Sequence, residues 1–193
     1  MQYFEGQNSK DCVLHSINNA FGREVVTKDE VLQHIEEKAQ ELKSKLEEQG
    51  LPEHEIIKRV KKLRTRYSSG RTFFAADIVW DTVKSKGLFT NHLPIPGFSS
   101  PYIKMSSMTP EILQKPIVIL GGDHHGGTHA IAVRNGFIYD SERTKEGRPV
   151  PLNLAELKKS IPKVFGAYVF LNSPREVAMV RKASLPNHPW FVE

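Results

Sequence analysis

Apolar residues in the first half of the chain recur at three- and four-residue steps, the period of amphipathic helices. Val13, Leu14, Ile17, Ala20 and Phe21 form one stripe. A polar loop precedes it, Asp11 stands at the N-cap position, and Gly22 follows as a stop. Thr27 and Glu30 fit a capping box. Val31, Leu32, Ile35, Ala39, Leu42 and Leu46 continue from it as a second stripe, closed by Gly50. Pro52 opens a third, carried by Ile56, Ile57, Val60, Leu63 and Tyr67. Residues 28 to 67 are therefore expected to form a helical hairpin with one apolar seam and charged outer faces. After a break at Ser68-Ser69-Gly70, the residues Phe73, Phe74, Ile78, Val79, Trp80 and Val83 predict a buried helix ending at Gly87.

The second half changes period. Residues 88 to 110, rich in Pro and Ser, predict irregular connections around one short strand, with His92 in a loop. Pro116 to Leu120 is a continuous apolar run that predicts a central strand. Gly121 to Gly127, GGDHHGG, predicts a flexible loop. Thr128 to Arg134 and Phe137 to Ser141 flank Asn135-Gly136, the strongest short hairpin signal available. A charged loop over Glu142 to Pro151, a short helix over Leu154 to Ser160 and a strand over Ala167 to Leu171 follow. From Asn172 the chain reads as a tail able to pack back through Val177, Val180, Trp190 and Phe191. Helices first and an antiparallel meander afterwards give an α+β class, with one domain over residues 1 to 172 and a tail over 173 to 193.

Composition narrows the function. The chain of 193 residues is 39% hydrophobic and 25% charged, ordinary for a globular protein with a real core. No apolar run approaches a membrane span, and no signal peptide is expected from MQYFEGQNSK. One cysteine excludes internal disulfides and points to a reducing compartment, the cytoplasm or that of a host cell. Much of the net charge of +5 falls on Lys58, Arg59, Lys61, Lys62, Arg64 and Arg66. A solvated helix face ranks first for that run and an acidic partner second. Nucleic acid ranks third, because no aromatics are interleaved to stack bases.

The lone cysteine, Cys12, has the composition-level reading of an inert buried thiol. Its place argues otherwise. It opens a helix after a polar loop, where the dipole favours thiolate. A two-residue turn at Asn135-Gly136 sets Arg134 against Phe137, Val133 against Ile138 and Ile131 against Asp140. His129 then shares a sheet face with Asp140 as its diagonal neighbour. That is a base with its orienting carboxylate. If the N-terminus of the first helix docks on that face, Cys12, His129 and Asp140 form a nucleophilic trio. Gln7, in the loop before the helix, could add its side-chain amide to the Cys12 N–H as oxyanion donors. His15 is read as structural. Asp123, His124, His125 and His129 lack zinc-motif spacing, so a mobile loop beside the site ranks above a metal.

Gln7, Cys12-x-x-His15 and Asn18-Asn19, followed much later by a histidine opening a strand, resemble the Josephin family of deubiquitinating cysteine proteases. The resemblance implies a papain-like fold with a helical hairpin inserted after the first helix. It implies Cys12 as nucleophile, His129 as base, Asp140 as orienter and Gln7 at the oxyanion hole, with no cofactor. The expected partner is ubiquitin or a ubiquitin-like protein, met by a monomer, with no membrane or nucleic acid involved. The chain departs from the family pattern in having Ala130 after the histidine, Asp140 where Asn is usual, and the GGDHHGG loop. Two other readings stay open: a papain-like peptidase or acyltransferase acting on a different substrate, and a non-catalytic binding module that uses the basic hairpin.

Overall fold

The computed structural model describes residues 3–5, 11–68, 74–142 and 148–183. Helix α1 spans Cys12–Phe21 and ends where predicted, with Gly22 in the left-handed region at φ +72°. A side chain at that position would also run into the Arg134 guanidinium. Arg134 crosses the helix end to donate to the Tyr3 carbonyl at 3.0 Å and lies over the Tyr139 ring. Asp11 occupies the N-cap position but makes no capping bond there. Its buried carboxylate pairs instead with Lys28 Nζ at 2.5 Å.

The hairpin is α2, Lys28–Glu48, and α3, Glu53–Tyr67. The Thr27–Glu30 capping box is formed in both directions. Near its root α2 gives Val31 and Ile35 to the main core. Farther out Ala39, Leu46, Ile56 and Val60 close a small core of their own. Ile57, counted in the seam from sequence, is 59% exposed. It sits next to Ile56 in α3, and adjacent helical positions cannot both face one partner. Phe73 lies outside the described residues; Phe74 is buried just before α4, Ala76–Ser85.

Three short strands occupy the region expected to hold one: β1 (Asn91–Pro94), β2 (Phe98–Ser99) and β3 (Tyr102–Ile103). His92 is in β1, not a loop, and packs with its ring tilted against Trp80 at 4.7 Å between centroids. After the short α5, Pro110–Leu113, come β4 (Ile117–Gly122), β5 (Thr128–Arg134), β6 (Phe137–Tyr139), β7 (Val150–Pro151), α6 (Leu154–Ser160) and β8 (Lys163–Leu171). They build a six-stranded antiparallel sheet in the order β1-β8-β4-β5-β6-β7. Gly121 and Gly122 belong to β4, because β5 and β8 pair with them from both sides. The same pairing extends β8 upstream of Ala167, through a register shift between Leu120 and Gly121. Beyond Asn172 the chain packs back through Val180, and through Val177 beside it, as the sequence pattern allowed. Helix α7, Pro174–Ala183, follows and seats Val180 in the core, while Trp190 and Phe191 lie outside the described residues. No described helix is long and apolar enough to cross a membrane.

Each sheet face carries a core. α1, α4 and the root of α2 cover Val118, Ala130, Ala132, Tyr139 and Phe170. Ile117, Ile119, Ile131, Val133 and Ile138 point the other way, to α5, α6 and α7.

Candidate active site

The hairpin between β5 and β6 has the register expected from sequence: Ala132 pairs with Tyr139, Val133 with Ile138 and Arg134 with Phe137. Asn135 and Gly136 carry it at φ 52° and 76°, the backbone that a primed two-residue turn demands. β6 ends at Tyr139, so Asp140 and Ser141 leave the strand that was expected to include them. Asp140 stays close: His129 Nε2 meets its Oδ1 at 2.9 Å, with both residues buried. The Glu142 N–H donates to the same oxygen at 3.0 Å.

Alternation groups His129 with Ile131 and Val133, yet the body of α1 lies on the Ala130 and Ala132 face. The body of the helix therefore lies on the other face, whereas the sequence reading required only its N-terminus at His129. Its first residue meets His129 at the opening end of β5, near enough for the Cys12 thiol to stabilise the imidazolium. With Nε2 taken by Asp140, Nδ1 is the ring nitrogen left for the sulfur. Nδ1 makes no well-formed hydrogen bond among the described residues, and Glu142 Oε1 approaches it at 3.5 Å.

These neighbours set the charge of the site. Burial opposes an imidazolium, but the Asp140 bond, the Cys12 thiol and the carboxylates of Asp140 and Glu142 outweigh it. They push the His129 pKa up to about 10. Burial likewise opposes the Asp140 carboxylate. His129, the Ser160 hydroxyl and the Glu142 N–H hold its pKa below the usual carboxylate range. The arrangement is a hydrogen-bonded ion pair beside a thiol that is 4% exposed.

Gln7 lies outside the described residues. His15 contacts Glu5 Oε1 at 2.8 Å. Asn18 and Asn19 are buried clamps. The Asn18 side chain takes the Val25 and Val26 N–H groups and donates to the Val26 carbonyl and to Glu5, while Asn19 holds the Glu5 backbone on both sides. They tie the segment before Cys12, and the segment leading to α2, onto α1.

The β4–β5 loop is less free than its glycines suggest. Asp123 Oδ1 accepts from the His125 and Gly127 N–H groups, both at 2.7 Å, and His124 Nε2 meets the Lys159 carbonyl at 2.9 Å. Among the described residues no group of His, Cys, Asp and Glu side chains is placed to hold a metal ion.

Sequence reasoning missed Glu142, Ser160 and the Asp11–Lys28 pair. Only Glu142 left a signal, two residues beyond Asp140 on the same strand exit. No protein-family model matches this chain, and no curated protein matches it.

Proposed function

We propose that this protein is a thiol hydrolase of papain-like architecture, with Cys12 as nucleophile, His129 as its base and Asp140 as the orienting group. One observation carries the reading: a buried His129–Asp140 bond of 2.9 Å beside a thiol on the first residue of a helix. Cys12 gives its thiol proton to His129, and its sulfur attacks a substrate carbonyl carbon. The imidazolium proton passes to the departing amine as the C–N bond breaks, leaving a thioester on Cys12. Water then attacks the thioester, His129 takes its proton, and the acid product leaves as the sulfur is released. Asp140 holds Nε2 and stabilises the imidazolium throughout.

The Josephin-like motif directs this chemistry to isopeptide or peptide bonds at the C-terminus of ubiquitin or a ubiquitin-like protein. The hairpin α2–α3 forms one wall of the substrate groove, with its basic face turned to an acidic patch on the substrate. The burial of Cys12 favours a second reading, in which the thiol is inert and the protein binds without catalysis.

The test is an electrophilic probe on the C-terminus of ubiquitin, offered to the wild type, Cys12→Ala and His129→Ala. An adduct that needs both residues supports the hydrolase and its substrate together. No adduct, with fast alkylation of Cys12 by iodoacetamide near neutral pH, keeps the hydrolase and removes ubiquitin. No adduct and a slow thiol leave the binding module.

A further inference from the structure

The imidazole of His129 is approached by carboxylates on both of its nitrogens, and the proposed mechanism uses only one of them. Asp140 accepts from Nε2 at 2.9 Å. Glu142 Oε1 stands 3.5 Å from Nδ1, the nitrogen that must exchange its proton with the sulfur and the departing amine. Glu142 is tied to this place by its own backbone, whose N–H donates to the Asp140 oxygen that also holds Nε2. The chain leaves β6, anchors at Asp140 and turns the next-but-one side chain back over the ring. That side chain is 51% exposed, while the side chain of His129 is 1% exposed. A half-hydrated carboxylate of this kind faces a much smaller desolvation cost than Asp140.

We propose that Glu142 is a positioning residue for His129: it holds the ring proton on the Nδ1 side and keeps the imidazole cationic beside Cys12. The inference rests on reading His129 as the base. Other groups also act on the ring. Asp140 comes from the end of β6 and the Cys12 thiol from the start of α1. Asp123 comes from the β4–β5 loop, and its carboxyl is held low first by the Gly127 N–H and to a smaller extent by His129. Glu142 differs from these in its exposure. It can swing away from the ring without unfolding anything, so it can yield Nδ1 to the sulfur when substrate enters. The 3.5 Å separation fits that role, being close enough for charge attraction and too long for a locked bond.

The consequence is a pH shift that a structural contact would not produce. A thiolate–imidazolium pair loses its cationic partner as pH rises through the His129 pKa. Removing the Glu142 charge moves that point down by about one pH unit, the lower end of what a charge at this distance does.

The experiment uses the full chain and two readouts. The His129 ring is titrated by NMR in the wild type, Glu142→Gln and Glu142→Asp. Cys12 is alkylated by chloroacetate, an anion drawn by the imidazolium, across the same pH range. The expected result is that Glu142→Gln lowers the His129 midpoint and the alkaline limb of alkylation together by about one unit, while Glu142→Asp keeps most of the wild-type value. An unchanged midpoint in Glu142→Gln, at wild-type melting temperature, overturns the inference and leaves the catalytic reading standing. A wild-type His129 that titrates as an ordinary imidazole, beside a thiol of ordinary reactivity, overturns the catalytic reading itself.

Discussion

The hairpin and the helix that carries Cys12 are both amphipathic, but they are held by different means. The outer hairpin rests on four buried apolar residues, Ala39, Leu46, Ile56 and Val60, with Leu42, Leu51 and Leu63 half-buried against them, and on exposed pairs such as Arg64 with Glu36. In α1 every residue from Cys12 to Ala20 except His15 is buried, including Ser16, Asn18 and Asn19. Its two asparagines reach chain segments on both sides rather than water. The hairpin is thus a locally specified arm and α1 an axle whose bonds close long loops. An arm of low local stability can bend, whereas a thiol proposed as a nucleophile has to stay in register with its proposed base.

Asn18→Ala should have the largest effect on stability. It strands the buried N–H groups of Val25 and Val26 and the carbonyl of Val26, and should cost about 3 kcal/mol in urea denaturation. A loss below 1 kcal/mol would mean that water replaces the clamp and α1 is no axle.

The pH dependence of stability separates the two regions next. His129 has a folded pKa raised above its ordinary 6.5, so its contribution is complete below about pH 6.5 and is lost as pH rises toward about 10. Asp140 is depressed, so its contribution is present above the ordinary carboxylate range and is lost as pH falls through its folded value. The melting temperature should fall between pH 7 and 10 in the wild type, and less in His129→Gln. A hairpin variant should keep the wild-type slope; one that flattens it would join the arm to the site.

Val60→Ala comes third, at about 1–2 kcal/mol. Its effect should be confined to amide exchange in α2 and α3. Equal loss of protection in β4 and β5 would make arm and body one cooperative unit. Glu36→Gln, which breaks an exposed pair with Arg64, should cost less than about 1 kcal/mol and vanish in high salt.

The same division governs what could be read before folding. The limits of α1, the capping box at Thr27 and the register of the β5–β6 hairpin follow from neighbours within a few residues, and each is where the pattern placed it. Ile57 was misassigned because a stripe drawn by residue type cannot say which of two adjacent isoleucines faces the partner helix. The upstream half of β8 and the glycines of β4 looked irregular because their strand character comes from pairing partners far away in the chain. For α7, a sequence rich in charge and ending in prolines and polar residues hid a helix that needs the core to hold it.

At the site, the sequence by itself determined that Cys12 begins a helix and that the Asn135-Gly136 hairpin returns Asp140 to the neighbourhood of His129, since both follow from local geometry. Only the tertiary structure decided that α1 lies on the opposite face and meets His129 at the strand's end, that Asp11 serves Lys28 rather than the helix cap, and that Glu142 turns back toward Nδ1. Helical and strand periodicity assign a side chain to a face of its own element. Which faces meet, and which charges then share a buried space, is settled by packing between residues that lie far apart along the chain.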